Sequence, residues 1–164
     1  MSWLRAFRLD QSGAAAAEMA LMLPLMVVLL FGGFEAGHYF YTEHKIVKAV
    51  REGARYAGRL PFGAYSCSAG TTSMATAIQT VTRTGVAAGT TPRISGWTDN
   101  ADVTVTVVCN TATTTKGIFT DKADGAPIVT VAARADYPSL FGALGLIDGT
   151  ASVRASAQAV VNGL

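Results

Sequence analysis

The sequence predicts an α+β fold: a long N-terminal transmembrane helix that continues into an amphipathic helix packed on a small antiparallel sheet of about three strands. Three observations carry that prediction. Residues 14–34 read AAAAEMALMLPLMVVLLFGGF, 21 residues with Glu18 as the sole charge, and at 1.5 Å per helical residue this run crosses a hydrocarbon core of about 30 Å. Beyond it the apolar residues recur with helical period to about residue 59. Three later segments alternate with period two instead: DVTVTVVC at 102–109, PIVTVAARADY at 127–137 and TASVRASAQAVV at 150–161.

Composition points the same way. Of 164 residues, 50% are apolar and only 15% charged, against about 25% charged in soluble domains, so the chain reads as membrane-attached. A net charge of +2 offers no cationic field for a phosphate backbone, and no nucleic-acid partner is expected. The leader MSWLRAFRLDQSG, residues 1–13, carries Arg5 and Arg8 like a secretory n-region. The apolar run is too long for a cleaved secretory signal, and no Ala-x-Ala site follows it, so a retained anchor is expected. The flanking basic residues are nearly tied, with Lys45, Lys48 and Arg51 opposing Arg5, Arg8 and the amino terminus. The two cysteines, and 16 threonines between residues 71 and 120, place the C-terminal part outside the cytoplasm. The resulting organisation is a leader at 1–13, a membrane span at 14–34, an amphipathic extension at 35–60 and an extracytoplasmic α+β domain at 61–164.

Within the extension, Ile46, Val47, Val50, Ala54 and Ala57 fall on one side of the helix, and Lys48, Arg51, Glu52, Arg55 and Arg59 on the other. Leu60-Pro61-Phe62-Gly63 ends it, because proline disfavours helix at the residue before it. A second helix is expected over residues 73–88. Three strands need cover on one face, and the apolar stripe of the extension supplies it.

No catalytic residues emerge, and a non-enzymatic protein with no cofactor, metal or small-molecule substrate is expected. His38 and His44 lie six apart, on different helix faces, and fit no metal pair; interfacial or solvated positions explain them. The aspartates at 99, 102, 121 and 124 sit in turn-like stretches that local backbone chemistry explains. Cys67 and Cys109 are either buried thiols or a disulfide; a disulfide is favoured, since one cysteine follows the helix-ending turn and the other closes a strand. It would stabilise the fold by about 4 kcal/mol on the chain-entropy account.

Glu18 is the most informative residue. A carboxylate in an apolar span costs about 2.5 to 3.5 kcal/mol near the bilayer centre, so it either snorkels to the headgroups or has a partner. A cut between Gly13 and Ala14 would create an α-amine on a helix whose fifth residue is Glu18. A basic leader ending in glycine, a glutamate at the fifth position after the cut and an apolar helix is similar to type IV prepilins. The fuller run from Arg5 to Tyr41, followed by VKAVREGARYAGRL at 47–60, resembles the TadE-like proteins, minor pseudopilins of the Tad (Flp) pilus system, and the strand, Tyr-Pro, apolar segment, strand ending at 129–157 agrees more loosely. The resemblance implies prepilin-peptidase cleavage at Gly13 and Ala14, with Glu18 as the pilin-type glutamate. Met19 stands where the Tad motif usually has an aromatic residue.

Gly33 and Gly37 form a small-xxx-small pair suited to helix packing, the alternative being that a bilayer simply tolerates glycine there. Pro24 is expected to kink the span. Phe141, Leu144 and Leu146 lie in YPSLFGALGLI at 137–147, read first as core and second as a partner surface. The implied protein is a single-pass component of the bacterial inner membrane, N-terminus cytoplasmic, at the base of or within a pilus. Its expected partners are the lipid bilayer, the prepilin peptidase and other pilins and pseudopilins. The alternative is an uncleaved, signal-anchored extracytoplasmic binding module.

Overall fold

The structure, a computed structural model, describes residues 12–111, 117–120, 123–142 and 150–163. Helix α1 spans Ser12–Gly58 and continues through Pro24. Its 47 residues make a rod of about 70 Å. Residues 13–30 are exposed, Glu35 and Thr42 are buried, and from Ile46 onward one face is buried while Lys48, Arg51, Arg55 and Arg59 stay exposed. Of the apolar stripe read from the sequence, Ile46, Val50, Ala54 and Ala57 enter the core, whereas Val47 is only half-buried and lies on the side of His44, Lys48 and Arg51.

Against that face lies a three-stranded antiparallel sheet, β3 Val103–Asn110, β4 Ala126–Asp136 and β5 Ser152–Val160, in the order β3-β4-β5. Val131 is paired with Val105 on one side and Ala157 on the other, which fixes the register. Since side chains alternate across a strand, Val129, Val131, Ala133 and Ala135 point inward with Val103, Val107 and Val153. The helix-facing positions of β5 beyond Val153 are Ala155, Ala157 and Ala159. These small residues admit the helix closely: a Cβ on Gly58 would stand 3.0 Å from the Val160 carbonyl oxygen.

Helix α2, Ala75–Thr84, packs on the other flank of α1 and on β3. It falls inside the expected 73–88 and stops early at Gly85, whose φ of +91° suits glycine and whose amide caps the Val81 carbonyl at 2.7 Å. Two features were not legible in the sequence. A short hairpin, β1 Tyr65–Ser66 with β2 Thr71–Thr72, follows α1. The irregular stretch between α2 and β3 then places Ile94 and Trp97 in the core. Arg83, itself buried, holds that stretch by donating to Asn100 Oδ1 at 2.7 Å and to the Trp97 carbonyl at 3.0 Å.

Cys67 and Cys109 form the favoured disulfide, with Cα atoms 5.5 Å apart, tying the β1–β2 connection to the end of β3. The C-terminal end is fastened as well, since the Asn162 amide donates to the Gly58 carbonyl at 2.8 Å.

Candidate functional site

Two features of α1 bear on function: its free apolar half and the place where the globular part grips it. Gly13, Ala14 and Glu18 lie in the first turns, all solvent-facing. From Met19 to Leu30 the large side chains are exposed in the isolated chain. Among the described residues this is the one helix long and apolar enough to cross a membrane, and it is compatible with a single-pass anchor. Among the described residues, and apart from the helix's own nearby backbone, nothing comes within 4 Å of a Cβ placed on Gly33 or Gly37, so both leave open notches on the helix surface.

The grip begins where the apolar run ends. Glu35 is only 3% exposed. Its two carboxylate oxygens accept hydrogen bonds from consecutive backbone amides, Leu140 at 3.2 Å and Phe141 at 3.1 Å, just past β4. A carboxylate held by two amides is a strong, directional contact, and it removes the cost of an unpaired buried charge. One turn below, Phe31 meets Phe141 edge to face with ring centroids 4.8 Å apart. One turn above, the Tyr137 hydroxyl donates to the Glu35 carbonyl at 3.1 Å, and His38 Nδ1 lies 3.1 Å from the same hydroxyl. With the phenol proton committed to Glu35, His38 Nδ1 is the donor in that pair. Tyr39 completes the cluster, its ring 5.2 Å from Tyr137. Burial first, and then hydrogen bonding and charge from Glu35, push the Tyr137 phenol up to about 12.

Pro138 explains why the chain turns here: without an amide hydrogen it cannot extend the ladder of β4, so the segment leaves the sheet and folds back on α1. This clasp joins residues about a hundred positions apart. Sequence reasoning placed His38 at an interface or in solvent; it is half-buried against Tyr137. Glu35 and Tyr137 were missed as a pair, although an acid directly after the apolar run and a Tyr-Pro after a strand were visible signals. Phe141 joins the clasp, and Leu144 and Leu146 lie outside the described residues.

Higher on α1, one side of the helix is basic and exposed. His44, Lys48, Arg51 and Arg55 line a shallow groove with Val47 and Glu52. Glu52 pairs with Arg93 from the stretch before β3. Gly53 marks the crossing with α2, because a Cβ there would stand 2.0 Å from Thr82 Oγ1.

The family model described as TadE-like protein matches residues 13–55. Over those residues the chain is similar to the TadE-like family. The match begins on the glycine of the expected cut, includes Glu18 and the clasp residues Phe31, Glu35, His38 and Tyr39, and ends inside the run at 47–60. It supports a protein related to the Tad pilus. No curated protein and no solved structure matches the chain.

Proposed function

We propose that this chain is a non-enzymatic minor pseudopilin that takes part in assembly or initiation of a Tad (Flp) pilus. In this reading a prepilin peptidase removes residues 1–13, and the protein resides in the bacterial inner membrane with its C-terminal domain outside the cytoplasm. One observation carries the proposal: the TadE-like match begins at Gly13 and runs through Ala14 and Glu18 into the extension that packs on the sheet.

The physical chemistry supplies a mechanism. Cleavage leaves an α-amine, charged at neutral pH, four residues before Glu18. In an apolar environment each charge is costly alone, so the amine of one subunit and the carboxylate of the same or a neighbouring subunit compensate each other. The notches at Gly33 and Gly37 let neighbouring helices approach closely. The clasp at Glu35 then carries the globular domain in a fixed pose relative to the helix, so that it meets other pilins and pseudopilins in one orientation.

Glu18→Leu tests this directly. It removes a membrane-buried charge, so insertion is retained or improved. Pilus recovery from sheared cells should nevertheless drop at least tenfold in a strain carrying only the variant, at unchanged protein level. Normal piliation would instead favour the anchored binding module, which has no use for this carboxylate.

A further inference from the structure

The clasp places part of the globular domain at the depth of the apolar run. Phe31 belongs to that run, and it is Phe31 that Phe141 packs against. Phe31 and Glu35 are one helical turn apart, about 6 Å along the axis, and the Leu140 and Phe141 amides are bonded to Glu35. A bilayer that covers residues 14–34 therefore reaches the loop at 138–141 as well. The loop's outward side chain suits that position: Leu140 is 54% exposed. Around the same level, Phe34, Phe40 and Tyr41 are exposed on α1. Lys45 stands 4.7 Å over the Tyr41 ring, a basic residue and an aromatic at the height expected for headgroups.

We infer that residues Pro138 to Phe141 form an interfacial membrane seat: Leu140 and Phe141 enter the phospholipid leaflet on the domain's side, and Glu35 pins them there. The occupant is lipid, because the loop surface is continuous with the surface of the span and shares its apolar character. This inference rests on the membrane reading of α1 and goes beyond it, since a helix can span a bilayer while its domain stands clear on a stalk. It gives the buried Glu35 a purpose. The carboxylate satisfies the two backbone amides that would otherwise be carried unbonded into an environment poor in water. It also predicts that the domain rests on the membrane before assembly and must leave it, or carry the seat into contact with neighbouring helices, when it joins a filament.

Introduced tryptophans report the depth. The full chain, with Trp3 replaced by Phe and the buried Trp97 retained as a constant background, is reconstituted in vesicles of phosphatidylethanolamine and phosphatidylglycerol doped with phosphatidylcholine brominated on its acyl chains. Three variants are compared: Phe34→Trp in the span, Leu140→Trp in the seat, and Val108→Trp, exposed on β3 at the end of the sheet remote from Tyr137. The seat predicts blue-shifted emission from Leu140→Trp, quenched nearly as strongly as Phe34→Trp, with Val108→Trp unquenched. Quenching of Phe34→Trp alone, with Leu140→Trp behaving like Val108→Trp, overturns the seat and leaves the span intact. If Phe34→Trp is also unquenched, the membrane reading itself fails. A blue shift of Leu140→Trp that grows with protein concentration and escapes bromolipid would assign the surface to a second copy, and likewise overturns the lipid seat. Adding Glu35→Ala should weaken quenching of Leu140→Trp at least twofold without changing that of Phe34→Trp.

Discussion

Glu35 holds together parts of the chain that the sequence separates by more than a hundred positions. Because each of its carboxylate oxygens takes one amide, its replacements should form a graded series. Glu35→Ala abandons both bonds and is expected to cost about 2 kcal/mol, whereas Glu35→Gln keeps one acceptor and should cost about half as much. Hydrogen exchange at the Leu140 and Phe141 amides, alongside denaturant unfolding in micelles, would resolve the two; equal exchange in all three proteins would contradict the clasp. Tyr65 offers a second residue-scale test. Its hydroxyl donates to the Ala57 carbonyl, and burial, followed by the charge of Tyr56, pushes its phenol from 10.0 to about 12. A raised acid pKa means that the folded state favours the protonated form. The contribution is therefore complete below pH 10 and is lost as pH rises towards 12. Tyr65→Phe should lower stability by about 1 kcal/mol near neutral pH. It should also flatten the alkaline decline in unfolding free energy, leaving the share due to Tyr137. Neither residue was legible as a contact in the sequence. The signal in both is a pairing with a backbone group brought close by topology, which no local spacing encodes.

Elements were more legible, for a physical reason. The stripe Ile46, Val50, Ala54 and Ala57 and the alternation of β4 each repeat a pattern tied to one face, and burial follows the pattern. Element ends are decided by single residues instead. Gly85 stopped α2 short of residue 88, and the β1–β2 hairpin, two residues to a strand, is too brief to show any period. Trp97 and Ile94 came to the core from a stretch with no periodicity, held there by Arg83. The candidate sites differ in the same way: the expectation for Gly13, Ala14 and Glu18 rests on one local motif, whereas the clasp depends on the tertiary fold. The crossing of α1 with α2 gives the element-scale prediction. Gly53→Ala gains helix propensity of about 1 kcal/mol but drives a methyl group into the buried Thr82 side chain. Overpacking of this kind costs about 1 to 3 kcal/mol, so a net loss is expected. Thr82→Ala in the same chain should recover much of that loss, while Thr82→Ser, which keeps the offending oxygen, should not. Thermal unfolding of the wild type, Gly53→Ala, Thr82→Ala and their double variant gives the coupling directly.

At the scale of the whole molecule, α1 is a scaffold whose apolar half is compatible with a membrane anchor. Its apolar half is free for lipid or for neighbouring helices, its second half forms the floor under a disulfide-tied sheet, and the clasp joins the two at the level where a membrane surface would lie. A rigid connection of this kind suits a subunit that must deliver its domain to an assembly in one pose. The central claim is that the chain travels the pilin route, which requires a free amine at Ala14. The most direct measurement is the intact mass and N-terminal sequence of the protein recovered from membranes of cells with and without their prepilin peptidase. The account predicts a chain beginning at Ala14 only where the peptidase is present. A chain beginning at Met1 or Ser2 in both strains would contradict it.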